Sequence, residues 1–218
     1  MIRLSSEQLK AYLDPMKILV GKPHHPRILI TSDNRIVKLF YKRKRFSTST
    51  FFPQALRFQK NSQRLTQFDV RAPLVQEILH CPERSIHLAV YDNIPGTDYR
   101  ELCQTENTEV LAQLPPFLNS LHDKGIYFRA IHLGNLIHCD DDAIALVDIS
   151  DLKIKHAPLN APLRARNLLH LINTESDIDF FRMFGIERFI DSYLGQSTLG
   201  SWGKRYIKRQ FISAVNDV

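Results

Sequence analysis

The hydrophobic positions change period partway along the chain. Up to about residue 91 they alternate. Residues 27–31 (RILIT) read as a strand, Asp33 and Asn34 turn the chain, and RIVKLFY over 35–41 returns as a second strand. Residues 74–80 and 86–91 read the same way across the turn CPER. Between these pairs, apolar positions 52, 55, 56, 58, 65 and 68 fit one face of a helix, with Pro53 in its first turn. Ser5 and Gln8 predict a capping box for a short first helix. IPGT at 94–97 interrupts the pattern. Beyond it, apolar positions 110, 111, 114, 117, 118 and 121 recur at helical spacing up to Gly125, a C-cap, with Pro115 and Pro116 predicting a division. Residues 136–139 and 144–149 read as short strands around Asp140, Asp141 and Asp142. From Pro162 onward the pattern is helical, with Leu168, Leu169, Leu171 and Ile172 on one face and Phe180, Phe181, Phe184, Phe189, Ile190 and Tyr193 on another.

Strands first and helices after predict an α+β chain: a sheet-rich lobe over 1–93, a helical lobe over 94–218, and a hinge at 94–98. With 44% hydrophobic and 24% charged residues, 218 residues can bury a core, which excludes disorder and fibrous arrays. Cys81, Cys103 and Cys139 are too few and scattered for a disulfide framework or a thiolate zinc site, which favours a reducing compartment. The N-terminus lacks a signal-peptide pattern and no apolar run reaches membrane-spanning length. The expectation is a cytoplasmic protein with a peripheral contact at the inner face of the membrane. The net charge of +6 is unevenly spread: residues 37–71 hold nine Lys or Arg and one acid, Asp69, densest at Lys42, Arg43, Lys44 and Arg45. Lys204, Arg205, Lys208 and Arg209 form a second cluster. Such patches attract phosphates, although a solvated basic face explains the second cluster equally well. A nucleic-acid partner is not favoured, because no helix-turn-helix or single-strand-binding signature is present.

The chemistry concentrates in residues 121–153, LHDKGIYFRAIHLGNLIHCDDDAIALVDISDLK. Asn135 and Asp148 stand thirteen residues apart, and a tight hairpin between them would bring them together. An amide oxygen and a carboxylate are hard ligands suited to magnesium. No zinc-binding histidine spacing, nucleophile elbow or redox Cys pair supports a zinc enzyme, a hydrolase or a thiol enzyme.

From about Arg27 to about Tyr193 the chain resembles the bacterial lipopolysaccharide kinase family, the Kdo and heptose kinase group of the protein-kinase-like superfamily. It is most similar to a divergent branch labelled toluene-tolerance proteins. The resemblance rests on VKLFYKR around Lys38, FPQALRFQKNSQRL, LHDKGIYFRAIHLGN, IALVDISDLK and RARNLLHL. It implies a two-lobed kinase-like fold with a reduced N-terminal sheet, ATP and Mg2+ as cofactors, and a sugar hydroxyl of the lipopolysaccharide inner core as acceptor. It also implies an anionic glycolipid or phosphorylated sugar as partner. Lys38 resembles the lysine that contacts the nucleotide phosphates, and is expected to face Asp148 across the nucleotide. Asn135 resembles the catalytic-loop asparagine that holds metal. Asp148, written Asp148-Ile149-Ser150, resembles the metal-binding Asp of the Asp-Phe-Gly triplet.

The departures matter as much. The family's catalytic Asp falls on Ala130. The helix predicted after Pro53 offers no acid to pair with Lys38, and no glycine-rich loop precedes that lysine. His132, three residues before Asn135, is then the candidate base, or else a brace of its own loop. Arg129 is the candidate for neutralising a transferred phosphate, or else a loop anchor. Two functions stand: phosphoryl transfer to a core sugar, or nucleotide binding by a kinase-like protein that has lost turnover.

Overall fold

The computed structural model describes residues 1–41, 53–105 and 108–216. The basic run Lys42, Arg43, Lys44 and Arg45, and Phe52 of the expected helix, lie outside the described residues. The chain divides into two compact units, Met1–Ile94 and Pro95–Val218.

The first unit runs β1 (Ile2–Arg3), α1 (Ser6–Leu13), β2 (Lys17–Lys22), β3 (His25–Ile30), β4 (Arg35–Tyr41), α2 (Gln54–Thr66), β5 (Val75–Cys81) and β6 (Ile86–Asp92). Its six strands form one sheet in the order β1-β5-β6-β4-β3-β2. The sheet is therefore not the reduced one expected. The sequence reading missed β1 and β2, and for β2 the cause is physical: KILVGK is an edge strand exposed at nearly every position, so it carries no alternation. The capping box at Ser5 forms as expected: its hydroxyl accepts from the Gln8 amide, and the Gln8 side chain accepts from the Ser5 amide.

β4 sorts its residues by face. Val37 and Leu39 pack with Leu9 of α1, Leu29, Leu79, Leu88 and Val90 on one side. Phe40 and Lys38 lie against Phe58 of α2 on the other. Period-two alternation fixes this assignment, since a one-residue slip would exchange the two sets.

The second unit runs β7 (Gly96–Asp98), α3 (Tyr99–Gln104), a 3-10 helix (Thr108–Gln113), α4 (Leu114–Asp123), β8 (Ile126–Phe128), β9 (Leu136–Cys139), β10 (Ile144–Leu146), β11 (Leu152–Ile154), α5 (Ala161–Leu171), α6 (Glu175–Phe184), α7 (Ile186–Gln196) and α8 (Ser201–Asn216). The helical pattern running up to Gly125 is divided just before Pro115 and Pro116, into the 3-10 helix and α4. Pro115 and Pro116 occupy the first turn of α4, where a missing N–H breaks no helical hydrogen bond. Gly125 ends the helix with φ 74°, and a Cβ there would lie 2.6 Å from the Ala157 carbonyl oxygen. Phe181, Phe189 and Phe211 join α6, α7 and α8, with ring centroids 4.8 and 5.8 Å apart around Phe189.

A buried polar network ties α4, α5 and α7 to β8. Arg164, 1% exposed, donates to Asp123 at 2.6 Å, to Asn119 at 3.0 Å and to the Leu159 carbonyl at 2.7 Å. Asn167 clasps the backbone of Phe128, donating to its carbonyl at 2.7 Å and accepting from its N–H at 3.4 Å. The same amide oxygen lies 3.1 Å from His122 Nε2. An amide oxygen only accepts, so His122 carries its proton on Nε2 and accepts from the Tyr193 hydroxyl at Nδ1, 2.7 Å away.

Burial pushes His122 down to about 4. Unfolding restores its ordinary value near 6.5, so the unfolded chain takes up a proton that the folded chain refuses. Stability is therefore expected to fall as pH drops from about 6.5 towards 4, by roughly 3 kcal/mol over that interval from this group. Urea unfolding at stepped pH checks this. His122→Gln should be less stable at pH 7 but show a flatter acid limb, and an unchanged slope would remove His122 from the account.

Candidate functional site

The loop between β8 and β9 is closed by its own hydrogen bonds. Ile131 N–H donates to the Phe128 carbonyl at 3.2 Å and Asn135 N–H to the His132 carbonyl at 2.9 Å. The Asn135 side chain donates from Nδ2 to the Ala130 carbonyl at 2.8 Å. That bond fixes the amide plane and turns Oδ1 away from Ala130 as an acceptor, and no donor among the described residues reaches it. β9 and β10 then pair in the register Leu146↔Leu136, so Asn135 stands opposite Val147. Val147 N–H donates to the Asn135 carbonyl at 3.0 Å. Asp148 follows directly, with φ 55° and ψ 43°. A non-glycine residue in the left-handed region costs about 1 kcal/mol or more and persists where the surroundings over-determine it. The hairpin thus places an oriented amide oxygen and a carboxylate on adjoining positions, a hard donor set that suits magnesium. Among the described residues, no group of three or more His, Cys, Asp or Glu could hold a metal alone. Phosphate oxygens and water would have to complete the shell.

His132 sits half-buried beside two residues that the sequence reading did not single out. Arg100 of α3 pairs with Asp177 of α6 through both guanidinium arms, Nε to Oδ1 at 2.7 Å and Nη2 to Oδ2 at 2.9 Å. Asp177 has no exposed surface. Its Oδ2 also accepts from the Leu133 backbone N–H at 3.3 Å. Arg100 Nη2 lies 3.4 Å from His132 Nδ1. A guanidinium only donates, so this long hydrogen bond requires a lone pair on Nδ1 and leaves the imidazole proton on Nε2. Burial first, then the Arg100 charge, hold His132 below its ordinary value, with Asp177, Asp148 and Asp98 acting in the opposite direction. Gly134 allows the close approach, since a Cβ there would lie 2.9 Å from Arg100 Nη1.

A sequence signal for Asp177 did exist. At four and seven residues before Phe181 and Phe184 it shares their apolar stripe, and a charge on such a stripe marks a buried ion pair. Its partner Arg100, 77 positions away, carried no such signal.

Three positions from the sequence remain, Arg129, Ala130 and Lys38. Arg129 is exposed, and no carboxylate among the described residues pairs with it. Ala130 contributes its backbone carbonyl and no acid. In the first unit, Lys38 Nζ lies 5.2 Å from the Phe58 ring centroid and 5.8 Å from that of Phe40. These aromatic faces stand on the side of the lysine where a helix acid was missing from the sequence, and a cation–π contact of this kind is worth about 0.5–2 kcal/mol.

No family model matches the sequence, and no curated protein matches it either. The chain is similar in structure to WbdD, whose crystal structure aligns with a TM-score of 0.55 at 13% identity over 93% of this chain and 46% of that one. A second WbdD structure, a co-crystal with the kinase inhibitor LY294002, aligns with a TM-score of 0.49 at 13% identity over 87% and 43%. The chain therefore spans less than half the length of these WbdD chains. The likeness to the first of these shows a shared mixed α/β fold.

The Arg100–His132 contact predicts that Arg100→Gln raises the titration midpoint of His132 towards its ordinary value, read by NMR of the imidazole resonances. The same variant strands the Asp177 carboxylate in the interior and should cost about 3 kcal/mol of stability. A His132 midpoint unmoved by Arg100→Gln would show that the contact does not set its protonation.

Proposed function

We propose that this chain binds a magnesium–nucleotide through Asn135 and Asp148 and transfers the terminal phosphoryl group of ATP to a sugar hydroxyl of the lipopolysaccharide inner core. The observation that supports the reading is the Asn135 side chain, held by Ala130 through its nitrogen so that its oxygen is left to accept, on a hairpin whose register sets Asn135 one residue short of facing Asp148. The WbdD likeness supports the fold on which this arrangement would act. Lys38 is assigned to the nucleotide phosphates. Magnesium at this donor set would neutralise phosphate charge, which is most of what phosphoryl transfer asks of a protein. The acceptor, an anionic glycolipid or phosphorylated sugar, is the part of the proposal that rests on family resemblance alone.

On this reading the two candidate catalytic residues take different roles. His132 spends its Nδ1 lone pair on Arg100 and presents an Nε2–H, so it can donate a hydrogen bond to a bound oxygen but has no lone pair free to accept the acceptor's proton. We assign it to bracing and hydrogen-bond donation. Arg129, exposed and without a carboxylate partner among the described residues, is left as the group that can meet a phosphate or a glycolipid anion. With Ala130 in the base position, the acceptor proton passes to a phosphate oxygen or to water, and turnover is slow. The same two facts favour a second reading, a kinase-like protein that binds nucleotide without turnover.

Incubation with ATP, magnesium and a panel of core glycolipids, followed by mass measurement of the glycolipid, separates the two. On the first reading wild type adds one phosphate to a glycolipid, and Ala130→Asp raises the rate by about ten-fold or more, since a positioned base contributes about 10²–10⁴-fold. His132→Ala should lower the rate by less than about ten-fold, because a brace is lost and not a base. No transfer by wild type or Ala130→Asp, with nucleotide binding intact, selects the second reading. A loss of 10²-fold or more in His132→Ala with unchanged nucleotide affinity would restore His132 as the base.

A further inference from the structure

Helix α8 carries two stripes of opposite character. Gly203, Ile207, Phe211 and Val215, each four residues on from the last, are buried. Gly203 approaches α5 so closely that a Cβ would lie 3.3 Å from that of Ala161. Phe211 stacks on Phe189 of α7 at 5.8 Å. The outward stripe is Trp202, Arg205, Tyr206 and Arg209, spaced three and four apart so that the side chains stand one above the next along the helix.

This stripe is built unlike an ordinary solvated face. Trp202 is 65% exposed, while the phenyl rings of Phe181, Phe189 and Phe211 are essentially buried. Its indole stacks on the Tyr206 ring at 5.4 Å and 16°, so the two rings form a slab on the outer surface. Arg205 and Arg209 are both exposed one and two turns along. Lys208 is neutralised by Asp191 of α7 at 2.6 Å, but no carboxylate among the described residues pairs with Arg205 or Arg209. No acid occurs anywhere in α8. An exposed aromatic slab next to two uncompensated guanidinium groups suits a boundary between apolar and phosphate layers, where the indole finds apolar contact and the cations find anions.

We propose that this face of α8 docks on an anionic phospholipid surface, with Trp202 and Tyr206 at the level of the headgroups and Arg205 and Arg209 on lipid phosphates. The buried stripe stays packed in its own unit, so contact is peripheral, and no helix among the described residues is long and apolar enough to cross a membrane. A single-stranded nucleic acid shares the phosphate chemistry. It would need open aromatic faces for base stacking, and Trp202 and Tyr206 each spend one face on the other. The lipid surface is therefore the occupant the geometry favours. The inference extends the partner side of the proposed function, since a glycolipid acceptor is met at a membrane, but it does not depend on nucleotide binding.

Trp202 is the sole tryptophan of the chain, so intrinsic fluorescence reports on this stripe alone. Adding vesicles of phosphatidylcholine with phosphatidylglycerol should move its emission to shorter wavelength, protect it from acrylamide and sediment the protein. Vesicles of phosphatidylcholine alone should do so far less. Arg205→Glu with Arg209→Glu should weaken partitioning by at least about twenty-fold, from roughly five-fold per basic residue near an anionic surface. Added salt should release the wild-type protein. Circular dichroism checks that the double variant folds, and if it does not, the salt titration and the comparison of vesicle types decide alone. No emission shift with anionic vesicles, equal binding to neutral vesicles, binding insensitive to salt, a folded double variant that binds as wild type, or a shift caused by oligothymidylate and not by vesicles would each overturn the proposal. Nucleotide binding, measured separately, keeps a failure here distinct from a failure of the kinase reading.

Discussion

The second unit depends on one carboxylate that has lost all contact with solvent. Asp177 would be intolerable in the interior alone, since an isolated charge there costs several kcal/mol. It is held by both arms of Arg100, with the Leu133 amide as a third donor. The pair joins α3 to α6, and the amide joins both to the loop that carries His132 and Asn135. Removing any one partner leaves a buried polar group unsatisfied, so the three elements are fixed together.

The remaining chemistry follows from that clamp. Arg100 can face His132 only because Asp177 has already positioned its guanidinium, and a guanidinium facing Nδ1 decides the tautomer. The loop then closes on itself until the Asn135 amide meets the Ala130 carbonyl. Ala130 thus contributes a backbone acceptor that orients the Asn135 amide. The loop keeps its shape without the acid because the backbone carbonyl and the Asp177 clamp do the shaping.

Much of the frame was legible in the sequence, and the limits were physical. The strands β3 to β6 showed because short runs rich in Ile, Leu, Val and aromatic residues end at turn residues, and the β9–β10 hairpin showed because three consecutive aspartates favour a turn there. β2 did not show because an exposed edge strand has no inside face to pattern. β8 and β11, three residues each and held as a pair, are too short for any period to register. Lys38, Asn135 and Asp148 were singled out through motif resemblance and spacing, and the hairpin register sets the latter two on adjoining positions. The tautomer of His132 was not readable from its neighbours in the chain. It is set by Arg100, 32 positions away, which is in turn set by Asp177, 77 positions from Arg100.

The central claim is that Asn135 and Asp148 hold a divalent metal only together with a nucleotide. Electron paramagnetic resonance of Mn2+ titrated into the protein tests it directly. With ATP present, the free-ion signal should fall by more than ATP alone accounts for, and without nucleotide it should not, because two protein oxygens compete too weakly with the ion's own hydration unless phosphate oxygens join them. Asp148→Ala should abolish the difference while leaving the fold intact. Metal binding that needs no nucleotide, or that survives the loss of Asp148, would contradict the account.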